Sequence, residues 1–114
     1  MIDYHGTLVA ALNKILPTHY EMTLTKNTKV PCISYMELSN IATEEGNTLG
    51  YSRIQYQVKV WGHEISVLQS TAIRIDMALR TLGFKRVGSN EMYDRNSTMI
   101  QKILTYEALA SEEF

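Results

Sequence analysis

Cysteine is almost absent from this sequence: Cys32 is the only one among 114 residues. An internal disulfide and a cysteine-rich zinc site are therefore excluded. Long hydrophobic runs are absent too, since the longest is Leu8–Leu12 and a membrane-spanning helix needs about 20 residues. The N-terminus lacks a basic region followed by an apolar run. We therefore expect no secretory signal and a chain that stays in the compartment where it is made.

Charge of one sign is also lacking. The 11 Lys and Arg residues nearly balance the 12 Asp and Glu residues, which gives a net charge of −1. Such a chain has no field that could hold nucleic acid or an anionic membrane by bulk electrostatics. Arg80, Lys85 and Arg86 form a small basic cluster, but three charges are too few to indicate nucleic-acid binding.

The overall amino-acid composition is that of an ordinary folded protein. Hydrophobic residues make up 45% of the chain and charged residues 20%, which argues against disorder. The length corresponds to one domain covering residues 1–114, because domains usually have about 100–150 residues. We see no repeat and no interdomain linker.

Two helices are predicted from apolar residues that recur at spacings of three and four. The first covers about Ile2–Leu16 and ends before Pro17. The second covers about Glu64–Leu82, and Gly83 follows it as a left-handed cap. The apolar stripe of the second helix consists of Ile65, Leu68, Ala72, Ile75, Leu79 and Leu82.

The clearest predicted strand is Tyr51–Trp61, in which apolar and polar residues alternate. Strands are also expected at His19–Lys26, Cys32–Ile41 and Ser97–Ala108, with a loop at Ala42–Gly50. Phe84–Val87 and Met92–Tyr93 are expected to form a further strand or hairpin arm around a turn at Gly88–Asn90. This order predicts an α+β domain with a mainly antiparallel four- to five-stranded sheet and two helices packed on one face.

No catalytic motif is found. The histidines, His5, His19 and His63, are not spaced as metal ligands, and we expect them at the surface or at strand ends. Cys32 begins a predicted strand and is expected to be a small buried hydrophobic residue. Glycine-rich phosphate loops and Gly-x-Ser-x-Gly are missing. The sequence therefore predicts no catalytic residue, no metal and no cofactor.

One side of the strand Tyr51–Trp61 is rich in polar and aromatic groups. Arg53, Gln55, Gln57 and Lys59 share it with Tyr51 and Trp61. Tyrosine, tryptophan and arginine are favoured in protein interfaces, but the same residues also pack across strands at the ends of sheets. Both interpretations remain open at this point.

Several local strings resemble a known family. They are the proline-led strand Val30–Tyr35, a glycine-bearing loop, the pattern Arg-x-x-x-x-Val-x-Val-Trp at Arg53–Trp61 leading into a long helix, and a closing strand with Tyr106-Glu107. In order and content these resemble the small tail completion, or head-to-tail joining, proteins of long-tailed bacteriophages and prophages. The plan is also similar to that of tail terminator proteins.

The resemblance implies a virion structural protein rather than an enzyme. Members cap the assembled tail tube, often as a ring of six subunits, and present a surface to the head connector. The implied partners are other copies of the chain, the tail tube protein and the head connector or neck protein, with DNA only as passing cargo and no membrane. The implied location is the cytoplasm of the bacterial host during assembly and then the virion tail.

The family offers no active site to carry over, so interface candidates come from chemistry and position. They are Thr43, Glu44, Glu45 and Asn47 in the loop, Arg53, Gln55, Gln57 and Lys59 on the polar side of the strand, and Asp94, Arg95 and Asn96 in a turn. The adjacent carboxylates of the loop do not have the fixed separation that acid–base catalysis needs. They suit contact with a partner, or the lining of a ring through which DNA passes.

Two alternatives are kept. The first is a small ligand-binding or regulatory module, which a pocket of converging apolar and polar groups would indicate. The second is a small enzyme that uses Cys32 with a histidine, which requires a reactive thiol.

Overall fold

Two helices and five strands form the described part of the computed structural model, which comprises residues 4–25, 27–43 and 51–111. In chain order they are α1 (His5–Asn13), β1 (Thr18–Tyr20), β2 (Cys32–Thr43), β3 (Tyr51–Gly62), α2 (Ile65–Thr81), β4 (Lys85–Asp94) and β5 (Met99–Ser111). A short 3₁₀ helix, Glu21–Thr23, follows β1.

The strands form one sheet in the order β1-β2-β3-β5-β4. The pairs β2–β3, β3–β5 and β4–β5 are antiparallel, whereas β1 pairs with β2 in parallel. The expectation of an α+β fold with a mainly antiparallel sheet is confirmed. The parallel pair was not anticipated, and it is possible because the chain between β1 and β2 returns to the same end of the sheet.

Both helices pack against the same face of the sheet. The ring of Tyr4, just before α1, lies 5.5 Å from the ring of Phe84, which in turn lies 5.9 Å from that of Tyr56 on β3. These contacts join α1, α2 and the sheet in one core. Its buried members are Leu8, Leu12, Ile33, Tyr35, Ile54, Tyr56, Val58, Val60, Leu68, Ala72, Ile75, Leu79, Phe84, Leu104, Tyr106 and Ala108.

The helix α2 follows the predicted pattern closely. Leu68, Ala72, Ile75 and Leu79 are buried, as their spacing indicates. Gly83 has φ of +93°, so the predicted left-handed cap is present. Ile65 is 44% exposed and therefore lies at the margin of the stripe. Among the described residues, neither helix has the length and apolar character needed to cross a membrane.

The turn predicted at Gly88–Asn90 is wrong. Lys85–Asp94 is one continuous strand, with a bulge at Val87 between the pairs Arg86–Tyr106 and Gly88–Thr105. Glycine, serine and asparagine are typical of turns, but here β5 offers a pairing partner along the whole of β4. Tertiary pairing therefore overrides local preference.

Three predicted boundaries also need correction. The strand predicted at His19–Lys26 is only Thr18–Tyr20, and Met22 after it is 81% exposed in the 3₁₀ turn. The first helix ends at Asn13 rather than at residue 16. The predicted loop Ala42–Gly50 begins later, because residues 42 and 43 still belong to β2, while 44–50 lie outside the described residues.

Candidate functional site

The face of the sheet that points away from α1 and α2, which we name the open face, is the candidate functional site. The register of the strands defines its members. They are Cys32, Ser34, Met36, Ser39 and Ile41 on β2; Arg53, Gln55, Gln57, Lys59 and Trp61 on β3; Gln101, Ile103, Thr105, Glu107 and Leu109 on β5; and Lys85, Gly88, Asn90, Met92 and Asp94 on β4.

The polar row of β3 runs along the middle of the open face. Arg53, Gln55, Gln57 and Lys59 therefore do share one side of the sheet, as the alternation predicts. Ion pairs hold the two ends of the row, one to β5 and one to the 3₁₀ helix after β1. Arg53 Nε lies 3.1 Å from Glu107 Oε1 on β5, and Lys59 Nζ pairs with Glu21 Oε1. Since Lys59 is 17% exposed and Arg53 56%, Arg53 is the more accessible cation.

At one end of the open face, Arg53 stands between two exposed apolar side chains. The register places Ile41 on one side of it and Leu109 on the other, and these are 58% and 65% exposed. An arginine flanked by exposed aliphatic groups has the chemistry of a protein-binding surface. At this end of the sheet β2 ends and β3 begins.

The sequence did not reveal the position of Ile41. Strict alternation along β2 puts Ile41 on the same face as Ile33 and Tyr35, which are buried under the helices. A bulge between Glu37 and Ser39 shifts the register and moves Ile41 to the open face. A lone strand sequence carries no signal for such a bulge beyond a mixed pattern.

The opposite end of the open face is partly covered by residues 21–25 and 27–30. They border a cleft of about 730 Å³, in which the indole of Trp61 lies near Cys32 and Met99. The Trp61 Nε1–H donates to Ser34 Oγ at 2.8 Å, and Lys59 Nζ lies 5.6 Å from the centre of the indole ring. The remaining lining residues are Leu24, Thr25, Thr28, Val30, Asp94 and Ser97.

The predicted interface candidates do not form one cluster. Asp94, Arg95 and Asn96 lie at the turn between β4 and β5, where the Asn96 N–H donates to Asp94 Oδ1 at 3.0 Å. Thr43 pairs with Tyr51 at the other end of the sheet. Glu44, Glu45 and Asn47 lie outside the described residues.

The histidines give no metal site among the residues that the structure describes, where no group of three potential ligands occurs. His5 is more than a surface residue. Its ring packs 5.7 Å from that of Tyr35 and 5.5 Å from that of Tyr56, and its Nε2 lies 3.7 Å from Glu37 Oε2. These contacts attach the start of α1 to the sheet.

Two members of the small basic cluster near Gly83, Arg80 and Arg86, are engaged in ion pairs with Asp76. Asp76 on α2 accepts from the buried Tyr106 hydroxyl at 3.0 Å and pairs with Arg80 at 2.9 Å and Arg86 at 3.8 Å. Burial, and then the hydrogen bond to Asp76, raise the pKa of the Tyr106 hydroxyl well above its usual value. Arg80, Arg86 and Asp76 therefore help to join α2, β4 and β5.

The Cys32 thiol is 1% exposed, and burial raises its pKa. We expect it to react with a disulfide reagent at pH 8 at least about tenfold more slowly in the native protein than in urea, because little thiolate is present or accessible. A thiol assay under both conditions measures this. A native rate above that of the unfolded chain contradicts the prediction and restores the cysteine enzyme as an alternative.

Comparisons with known proteins show a similarity of fold. No protein-family model matches the chain, and neither does any curated protein. Among solved structures, the chain is similar to a chain in the virion of a native gene transfer agent particle. The TM-score is 0.62 at 9% identity, with 92% of this chain and 84% of that chain covered. The two chains therefore share a fold, although almost no sequence signal connects them.

Proposed function

We propose that this chain is a non-enzymatic structural protein of a virion, which caps the end of a tail tube and joins the tail to the head connector. The observation that carries the proposal is the open face, where the exposed Ile41 and Leu109 flank Arg53. The fold shared with a chain of a gene transfer agent virion supports a role in a particle. The specific role of capping the tail tube and joining it to the head connector comes from the resemblance to tail completion proteins.

The open face has the properties of a contact that forms on assembly. A mixed polar and apolar surface can be hydrated in the free chain and buried later, unlike a continuous apolar patch. The pair Arg53–Glu107 holds the guanidinium in place before a partner arrives, which reduces the side-chain entropy lost on binding. We propose a ring of six copies, as is common in the resembling family, in which this surface meets a different surface of the neighbouring copy.

The chemistry of Cys32 argues against the cysteine enzyme. A nucleophilic cysteine needs a lowered pKa and access to substrate, whereas this thiol is buried and its pKa is raised. A structural role requires only that the thiol packs within β2.

Particles assembled without this chain test the proposal. We expect heads and tails that remain separate, and we expect the purified chain to restore joined particles in electron micrographs. Ile41→Glu should reduce joining at least about tenfold, because a carboxylate in the apolar contact is costly to bury. Equal numbers of joined particles with and without the chain contradict the proposed function.

Ile73→Glu is the matched control. Ile73 is 62% exposed on α2, close to the 58% of Ile41, but it lies on the helical side of the protein. The same chemical change should leave joining unaltered there. If Ile73→Glu reduces joining and Ile41→Glu leaves it unaltered, the contact surface belongs to α2 and not to the open face.

The proposal includes a role for the two adjacent carboxylates between β2 and β3. Glu44 and Glu45 would line the passage for DNA, where like charge prevents the phosphate backbone from adhering. Changing both to lysine should impair ring formation or infectivity. Unaltered assembly and infectivity would remove this part of the proposal and leave the rest in place.

The cleft beside Trp61 favours ligand binding as a second candidate function. Its volume of about 730 Å³ falls in the range of small-molecule sites, and its lining is mostly apolar. Trp61 is the only tryptophan, so its fluorescence reports directly on the cleft. In the parent, titration with the apolar dye anilinonaphthalene sulfonate should change the Trp61 fluorescence saturably. In Trp61→Phe, where dye emission is followed instead, the saturable change should be lost. Both results together support this candidate. No saturable binding removes it.

A further inference from the structure

The strand β4 is an open edge of the sheet. All ten residues of Lys85–Asp94 are exposed, and β4 pairs only with β5 on its inner side. In the described part of the chain, no strand pairs with its outer side. An edge of this length offers a row of backbone donors and acceptors to another strand.

The charges along β4 are arranged so that two antiparallel copies complement each other. The strand begins with Lys85 and Arg86 and carries Glu91 and Asp94 near its end. When two copies run antiparallel, the basic start of each meets the acidic end of the other. Opposite charges across strands stabilise pairing, whereas like charges oppose it.

Symmetry then restricts the register. A two-fold axis perpendicular to the sheet must pass midway between one residue and its own copy, because paired residues point to the same side. With Asn90 facing its own copy, Gly88 stands opposite Met92, and both belong to the open face. Ser89 stands opposite Glu91 on the other face.

The bulge at Val87 completes the match. It adds one residue between Arg86 and Gly88, so that Lys85 stands opposite Asp94 and Arg86 opposite Tyr93. Lys85 and Asp94 both lie on the open face, and Arg86 and Tyr93 both lie on the other. The pairs are an ion pair and a cation over an aromatic ring. Without the bulge, Lys85 and Asp94 would point to opposite faces.

We infer that β4 of one copy pairs antiparallel with β4 of a second copy, centred on Asn90, to form one continuous sheet in the free protein. The other edge fits β4 less well, because residues 33–35 of β2 are already paired with β1 and residues 36–43 carry only one charge, Glu37. The contact closes at two copies, so it is distinct from a ring interface and does not rest on the proposed function.

Cysteine cross-linking tests the register in the full chain with Cys32→Ala. Asn90→Cys places two thiols directly opposite each other, with Cβ atoms about 5 Å apart. Met92→Cys separates them by four residues along the strands, about 13 Å. Under copper-phenanthroline oxidation we expect Asn90→Cys to give at least about tenfold more covalent dimer than Met92→Cys. Equal yields, or a higher yield for Met92→Cys, overturn the inference.

A charge exchange tests the pairing without any cross-link. Lys85→Asp and Asp94→Lys each place like charges opposite each other at both ends of a homodimer, so each alone should sediment as a monomer at concentrations where the parent dimerises. Mixed in equal amounts, the two variants restore both ion pairs and should dimerise. Dimers of either single variant as strong as those of the parent, or a mixture that stays monomeric while the parent dimerises, contradict the inference. A parent that stays monomeric at the highest concentration studied also contradicts it.

Discussion

Ile75→Ala is expected to lower the free energy of unfolding by about 2–5 kcal/mol. Ile75 is fully buried in the middle of α2, between the helix and the sheet. Its truncation removes apolar surface from the core and leaves a cavity, because neighbours on β3 and β5 are held by their ladder and cannot close the gap. Urea unfolding followed by circular dichroism measures the change.

Ile73→Ala is the matched control, since it makes the same substitution one half-turn away on the same helix. Ile73 is 62% exposed, and we expect a change of less than about 0.5 kcal/mol, with alanine favouring the helix slightly. Comparable losses at both positions would mean that α2 does not present the stripe of Leu68, Ala72, Ile75 and Leu79 to the core.

Asp76→Ala should lower the free energy of unfolding by about 2–3 kcal/mol. The carboxylate accepts the hydrogen bond of Tyr106, whose hydroxyl is buried among core residues, and it pairs with Arg80 and Arg86. Without Asp76 that hydroxyl loses the acceptor at 3.0 Å. Arg80→Ala should cost less than about 1 kcal/mol, because that side chain is 63% exposed and its ion pair is solvated.

A double-mutant cycle with Tyr106→Phe isolates the hydrogen bond. We expect the two substitutions to be non-additive by about 1 kcal/mol or more, and strict additivity would contradict the contact.

The hydrogen bond between Tyr106 and Asp76 also predicts that stability depends on pH. Because the pKa of Tyr106 is raised in the folded state, its contribution is complete below about pH 10 and is lost at higher pH as the unfolded chain releases the proton. Tyr106→Phe should flatten this alkaline decline.

Much of the fold follows from periodicity in the sequence. The stripe Leu68–Leu79 and the alternation Ile54–Val60 are each set by side chains that face one core, so a local window contains the whole signal. Gly83 marks the end of α2 for an equally local reason, its positive φ. The polar row of β3 was predicted by the same alternation.

What the sequence could not show depends on partners far along the chain. Gly88, Ser89 and Asn90 become strand residues because β5 pairs with them, and Ile41 reaches the open face because of a bulge at Leu38. Asp76 and Tyr106 are 30 positions apart, so no window links them. The exposed group of Ile41, Arg53 and Leu109 likewise requires the order of β2, β3 and β5.

Because β4 is completely exposed, we expect the free energy of detaching this strand to differ from the free energy of unfolding the core. None of the side chains of Lys85–Asp94 is buried in the core, and the strand is held by its ladder to β5 with a few ion pairs such as Glu91–Lys102. Detaching it therefore costs far less free energy than unfolding α2 from β3. We therefore expect the outermost strand to open at a lower free energy than the core needs to unfold.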